Sequence, residues 1–121
     1  MSAMRHSLAL AALVLALAAP ARADAPAGDA AAGKRVYLAD GCFECHGRVG
    51  QGGAYLGPAP SLAATELPYD AFLQQLREPA NNMPAYAEAV LPEAQAADIY
   101  AYLRSLPGRP APNALPAALT H

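Results

Sequence analysis

The sequence predicts an all-α fold of three main helices joined by irregular loops. Two segments place apolar residues at positions i, i+3, i+4 and i+7, which form one face of a helix, and these segments lie at residues 69–77 and 92–106. A third segment, residues 29–40, is rich in the strong helix former alanine. No segment has the alternating apolar and polar pattern of a half-buried strand, so we expect no sheet.

The first 23 residues have the pattern of a cleaved export signal. The basic Arg5 precedes an unbroken apolar run of 12 residues, from Leu8 to Ala19. Ala21-Arg22-Ala23 then matches a signal-peptidase site. The run is too short for a membrane span, which needs about 20 apolar residues. We therefore expect export to the periplasm, a mature chain that begins at Asp24, and no stable membrane insertion after cleavage.

The composition of the expected mature chain limits its core and its partners. Its 98 residues contain six Lys and Arg against ten Asp and Glu, for a net charge of −4. A domain of this size buries only about two-thirds of its unfolded surface, so a large apolar cofactor would help it to fold. The acidic balance argues against a partner that is nucleic acid or an anionic membrane.

The first predicted helix follows Asp29, whose side chain suits the N-cap position, and it runs to about Asp40. Gly41 fits the position just after a helix, where a left-handed conformation favours glycine. Seven Gly and Pro residues then lie within residues 47–61, which predicts a long irregular loop. A long loop in so small a domain usually has a functional role.

The second predicted helix covers Tyr69–Arg77, and Pro79 ends it. Residues 80–90 form a second predicted loop, centred on Asn81-Asn82-Met83-Pro84. The third helix starts near Pro92, because proline is tolerated in a first turn, and it runs to about Leu106.

These limits divide the chain into three parts. Residues 1–23 are the export signal, residues 24–106 are the folded domain, and residues 107–121 are a Pro-rich tail.

The segment Cys42-Phe43-Glu44-Cys45-His46 carries the chemistry of the chain. It has the CxxCH spacing of covalent c-type haem attachment. On a helical turn, positions i, i+3 and i+4 share a face, so both sulfurs can reach the haem vinyl groups while His46 reaches the iron. A structural zinc site would need about four Cys or His ligands, and a thioredoxin-like pair would need a βαβ setting. The chain offers neither, so we expect one haem c, attached through Cys42 and Cys45.

The second axial ligand of the iron has one strong candidate. Met83 is the only methionine left once the signal is removed, and it lies in a polar loop before Pro84. Methionine more often fills gaps in a core, but His/Met ligation recurs in c-type cytochromes. His121 is a competitor, although chain ends are usually mobile. The expected metal ligands are therefore His46 and Met83.

With these motifs the chain resembles the class I cytochrome c family, specifically its small bacterial periplasmic members, over residues 28–106. Gly28-Asp29, Gly33 and Tyr37 resemble the N-terminal helix of the family, and Ala101-Tyr102-Leu103 resembles the helix that crosses it. The resemblance implies the cytochrome c fold, in which three main helices and irregular loops wrap one covalent haem. It also implies that Tyr102 packs near Gly33 and Tyr37.

The resemblance extends to the loops. Gly57-Pro58 resembles the family segment whose proline carbonyl accepts a hydrogen bond from the axial histidine, a bond that would fix the orientation of the imidazole. Leu62 resembles a haem-pocket residue, and residues 81–84 resemble the methionine loop of the family. The chain lacks the strongly basic face of the mitochondrial members, so their partners do not carry over.

The expected function is periplasmic electron transfer by a six-coordinate His/Met haem c that cycles between ferric and ferrous iron. The chain would be an electron carrier rather than an enzyme, either free or as the electron-transfer subunit of an oxidoreductase complex. Its expected partners are redox proteins: a periplasmic dehydrogenase, an oxidase or another cytochrome. The alternative is an open-site haem sensor or a peroxidase-like enzyme, which requires that Met83 does not bind the iron. A haem-free thiol oxidoreductase is the third possibility.

Overall fold

The computed structural model describes residues 24–53 and 58–110. The predicted export signal, most of the predicted tail, Gly57 and His121 therefore lie outside the described residues. Four helices follow one another along the chain: α1 (Ala30–Ala39), α2 (Cys42–His46), α3 (Tyr69–Arg77) and α4 (Glu93–Ser105). The described residues contain no strand, which confirms the predicted fold class. Within the same ranges, no helix has both the length and the apolar run needed to cross a bilayer.

Helix α1 has a side-chain cap at its start and a left-handed residue beyond its end. The carboxylate of Asp29 accepts hydrogen bonds from the backbone amides of Ala31 and Ala32, at 2.8 and 2.9 Å. The chain leaves α1 at Asp40 and turns at Gly41, whose φ of 77° is left-handed. The prediction that Gly41 ends the first helix is confirmed. The same glycine also begins α2, so the motif Cys42–His46 forms a separate short helix.

The largest interhelical contact joins α1 and α4, which are far apart in sequence. A Cβ added at Gly33 would collide with the backbone carbonyl of Asp98 and would lie 2.8 Å from the backbone nitrogen of Ile99. The rings of Tyr37 and Tyr102 pack edge to face, with centroids 5.5 Å apart and planes at 61°. The structure therefore confirms that Tyr102 packs against Tyr37. Gly33 permits the close crossing of the same two helices, and its own neighbours on α4 are Asp98 and Ile99.

Helix α3 buries the apolar stripe that the sequence predicts. Tyr69, Phe72 and Leu76 are buried, whereas Leu73 is partly buried at the margin. The ring of Tyr100 on α4 lies 5.3 Å from that of Tyr69 and 5.1 Å from that of Phe72. The core is thus formed where α4 packs between α1 and α3, and it contains Tyr37, Tyr69, Phe72, Leu76, Leu91, Ala96, Ala97, Ile99, Tyr100, Tyr102 and Leu103.

Arg77 fixes the loop between α3 and α4. One nitrogen of its guanidinium donates to the carbonyls of Tyr86 and Leu91, at 2.7 and 2.9 Å. The backbone amide of Tyr86 in turn donates to the carbonyl of Leu76, at 2.8 Å. These bonds tie residues 86–91 to the end of α3. The segment that contains Met83 is therefore short and held at both ends.

Candidate haem-attachment site

Helix α2 brings the two cysteines and the histidine of the motif together on a single turn. Cys42, Cys45 and His46 occupy positions i, i+3 and i+4 of this five-residue helix, so their side chains lie on one face. Both thiols are free and half-buried. His46 is buried, with 9% of its surface exposed. The three groups that the sequence assigns to haem attachment are thus adjacent, and the thiols are not consumed by a disulfide.

The ring of His46 is oriented by a backbone carbonyl. Its Nδ1 lies 3.0 Å from the carbonyl oxygen of Pro60. A carbonyl oxygen only accepts hydrogen bonds, so Nδ1 carries the proton and Nε2 keeps its lone pair. An imidazole held in this tautomer presents Nε2 as a metal ligand, which is the usual role of such a partner. The bond therefore prepares His46 to coordinate iron.

The prediction that Pro58 supplies this carbonyl is wrong. Pro58 is exposed, and the carbonyl that meets His46 belongs to Pro60. The reason is the pairing of the two arms of the loop. The amide of Gly53 donates to the carbonyl of Ala59 at 3.0 Å, and the amide of Leu62 donates to the carbonyl of Gly50 at 2.7 Å.

That pairing fixes which carbonyl of the second arm faces His46. It also gives Leu62 its position, partly buried against the core. The sequence offers two prolines with nothing local to choose between them. Backbone contacts between the two arms of the loop decide which proline carbonyl faces His46. No local sequence pattern predicts these contacts.

Two tyrosines that the sequence assigns only to packing also hold the segment after His46. The hydroxyl of Tyr37 donates to the carbonyl of Gly47 at 2.7 Å, and that of Tyr102 donates to the carbonyl of Arg48 at 3.1 Å. Both tyrosines lie on helix faces that point to the core. That position is the feature of the sequence from which their role could have been inferred. Their hydroxyls connect the α1–α4 contact to the motif, so the packing of the terminal helices positions His46.

Another tyrosine bonds the loop that carries Met83 to the residues just before the haem-attachment motif. Tyr86 follows Met83 by three residues, and its hydroxyl donates to the carbonyl of Asp40 at 3.0 Å, two residues before Cys42. Met83 is partly buried against the core, and the amide of Gln75 approaches its sulfur at 3.6 Å. The sequence does not predict this contact of Tyr86. The one local signal is an aromatic residue in an otherwise non-aromatic loop, residues 80–90.

The surroundings of Cys42 are apolar and negatively charged. Burial raises the pKa of the Cys42 thiol to about 11, and the charge of Asp40 contributes to the same shift. Burial likewise raises the pKa of Tyr86 to about 12, with contributions from Cys42, Asp40 and Cys45. One carboxylate oxygen of the half-buried Asp40, Oδ2, is buried and has no hydrogen-bond partner in the part of the chain that the structure describes. Cys42, Tyr86 and Asp40 therefore form one cluster beside the attachment helix.

This arrangement fits a covalently held haem. Two free thiols and an imidazole with an available Nε2 share one helical turn, and the half-buried Cys42 lies in an apolar setting. Metal binding requires a thiolate, and the raised pKa of Cys42 disfavours that form. Cys42, Cys45 and His46 are thus the residues of this chain that would hold the haem.

Comparison with known proteins agrees with the geometry. A family model described as cytochrome c oxidase, cbb3-type, subunit III matches residues 28–103, which include α1, α2, α3 and all but the last two residues of α4. No curated protein matches the chain. The family model covers more than half of the chain and carries a class I cytochrome c-like domain, so haem-based electron transfer is the chemistry of the domain. This chain belongs to the family of cbb3-type cytochrome c oxidase subunit III and contains a monohaem c-type cytochrome domain.

Proposed function

We propose that this chain is an exported electron carrier with one haem bound covalently through Cys42 and Cys45 and ligated by His46 and Met83. The observation that carries the proposal is the α2 turn, in which two free thiols lie beside an imidazole whose Nδ1 is engaged by Pro60. When bound, haem supplies a one-electron change between ferric and ferrous iron. The protein supplies attachment, ligands and burial.

The ligand role of Met83 is supported by how its loop is held. Arg77 and Tyr86 fix the residues that follow, and Tyr86 brings the loop to the residue that precedes Gly41 and Cys42. Among the residues that the structure describes, the sulfur of Met83 has a single weak partner, the amide of Gln75. Leaving this contact costs little, because a thioether is a weak acceptor. A loop held in this way would keep a weak ligand close to the iron.

A second protein ligand would determine the type of chemistry. With His46 and Met83 both as ligands, the haem iron would have no open position for oxygen or peroxide, and the protein would transfer electrons only. A thioether ligand also raises the reduction potential of a haem. The proposed His46/Met83 pair therefore favours a carrier over the sensor or peroxidase alternative.

The remaining parts of the proposal concern location and partners. The pattern of residues 1–23 supports export to the periplasm. Membership of an oxidase-subunit family supports a redox complex as the partner. The acidic mature chain supports docking to a redox protein rather than to nucleic acid. We therefore place the chain between an electron donor and an oxidoreductase complex on the outer side of the membrane.

Expression with a c-type haem attachment system tests covalent binding. The wild-type chain should gain the mass of one haem that survives denaturation, with the alkaline pyridine spectrum of a haem joined by two thioethers. Cys42→Ala and Cys45→Ala should each retain one thioether or lose the haem. A wild-type chain whose denatured mass equals that of the polypeptide would refute the proposal.

A second experiment tests Met83. The oxidised wild type should show the weak far-red sulfur-to-iron band, and Met83→Ala should lose it and bind carbon monoxide rapidly when reduced. Gln75→Ala is the matched control, because it removes the contact to the sulfur and leaves the thioether in place. Persistence of the band in Met83→Ala would exclude Met83 as the ligand. Rapid carbon monoxide binding by the wild type would favour an open-site haem protein.

A further inference from the structure

Asp40 combines a structural backbone with an unpartnered side-chain oxygen. Its backbone ends α1 and its carbonyl accepts the hydroxyl of Tyr86, but its side-chain Oδ2 is buried without a hydrogen-bond partner among residues 24–53 and 58–110. Buried polar oxygens nearly always have a hydrogen-bond partner, and an exception in a native structure calls for an explanation. Burying a carboxylate without a hydrogen-bond partner costs more free energy than burying a neutral polar group in the same way.

Asp40 lies beside the atom to which the proposed haem would be joined. It precedes Cys42 by two residues, and its negative charge acts on the Cys42 sulfur and on the hydroxyl of Tyr86. Since Tyr86 belongs to the loop of Met83, Asp40 lies where α1, α2 and the methionine loop meet.

We propose that the carboxylate of Asp40, which is half-buried with one oxygen shielded from solvent, lowers the reduction potential of the haem attached at Cys42. The inference rests on the proposed covalent haem. Ferric haem carries one more positive charge than ferrous haem, so a nearby negative charge stabilises the ferric state. A half-buried charge acts through a lower effective dielectric than bulk water and is screened by salt less than a fully exposed one. Asp40 thus opposes the thioether of Met83, which raises the potential.

Glu44 provides a matched comparison within the same motif. It lies between the two cysteines and carries the same charge, but its side chain is exposed. Water and salt screen an exposed charge, so Glu44 should influence the potential weakly and only at low ionic strength. The lower exposure of Asp40, rather than its proximity in sequence, is what gives it the larger effect.

Redox titration of the haem-loaded protein tests the inference. Asp40→Asn should raise the ferrous-to-ferric ratio about tenfold at a fixed applied potential, which equals about 59 mV for a one-electron couple. Asp40→Ala should give a shift of the same sign, and Glu44→Gln should give a much smaller shift that disappears in high salt. The far-red band should persist in all three variants, which shows that the ligands are unchanged.

The outcomes separate this inference from the function on which it rests. A wild-type chain that carries no covalent haem refutes the proposed function. Haem-loaded Asp40→Asn and Asp40→Ala whose shifts are no larger than that of Glu44→Gln refute the role of Asp40 alone. A lowered potential in the Asp40 variants, with the band intact, also refutes it, because the sign would then be opposite to that of a removed negative charge.

Discussion

Replacing Gly33 with alanine tests the contact that joins the two ends of this domain. The added methyl group would collide with the carbonyl of Asp98 and approach the backbone nitrogen of Ile99 on α4. These are backbone atoms in the interior of a helix, so no side-chain rotation can relieve the collision. Helices α1 and α4 would have to move apart, and the edge-to-face contact of Tyr37 with Tyr102 would loosen with them.

The size of the effect follows from two opposing contributions. Overpacking a well-packed contact costs typically about 1–3 kcal/mol, and rigid backbone neighbours place this site near the upper figure. Alanine in a helix interior recovers about 1 kcal/mol relative to glycine. The net loss in the free energy of unfolding should be about 2 kcal/mol. For a domain of this size each kcal/mol shifts the Tm by about 4–8 °C, so the Tm should fall by about 8–16 °C.

Thermal unfolding followed by far-UV circular dichroism, with the haem-loaded protein, measures this loss. Lys34→Ala is the matched control, because Lys34 is the exposed neighbour of Gly33 on the same helix. An exposed substitution of this kind should change stability by less than about 0.5 kcal/mol. If Gly33→Ala unfolds at or above the temperature of the wild type, the close crossing of α1 and α4 is not what requires glycine, and the reasoning fails.

Three further predictions concern groups that hold the motif and its loops. Tyr37→Phe leaves the carbonyl of Gly47 without its donor and should cost about 1–3 kcal/mol, measured by chemical denaturation; a loss under about 0.5 kcal/mol would contradict the assigned bond. Arg77→Met should loosen the loop of Met83, seen as faster backbone hydrogen exchange in that loop than in the wild type. Backbone hydrogen bonds lower the pKa of Asp29 in the folded protein. The ionised carboxylate therefore stabilises the fold above the unfolded-state pKa, and this stabilisation is lost as the pH falls through the folded-state pKa. Asp29→Asn should therefore flatten the fall in Tm below about pH 4, and an unchanged pH profile would refute this role.

The helices of this chain could be predicted closely because their signals are local. The apolar stripe of α3 and the proline after Glu78 define Tyr69–Arg77, which the structure reproduces residue for residue. The N-cap of α1 is equally local, since the carboxylate of Asp29 contacts amides two and three residues away. The spacing of Cys42, Cys45 and His46 likewise requires no tertiary information. Each of these features depends on residues within one or two turns.

The parts that could not be predicted depend on contacts between distant segments. The choice of Pro60 over Pro58 is made by the pairing of residues 50–53 with residues 59–62. The bond from Tyr86 to the carbonyl of Asp40 spans 46 positions in sequence, and no periodic pattern reports it. The buried Oδ2 of Asp40 is invisible in the sequence for the same reason, because burial at a helix end is decided by what packs over it.

The crossing of α1 and α4 also has a consequence for the order of events during synthesis. The amide of Asp29 bonds to the carboxylate of Asp98, 69 residues later, so the ends of the domain meet only when nearly the whole chain is available. Closing such a long loop is slow, since its entropy is lost before its contacts form. Both thiols of the motif lie close to the N-terminal end of the domain, which is synthesised first. Until the last helix arrives, Cys42 and Cys45 should remain accessible to an attachment enzyme, and completion of the fold then encloses them.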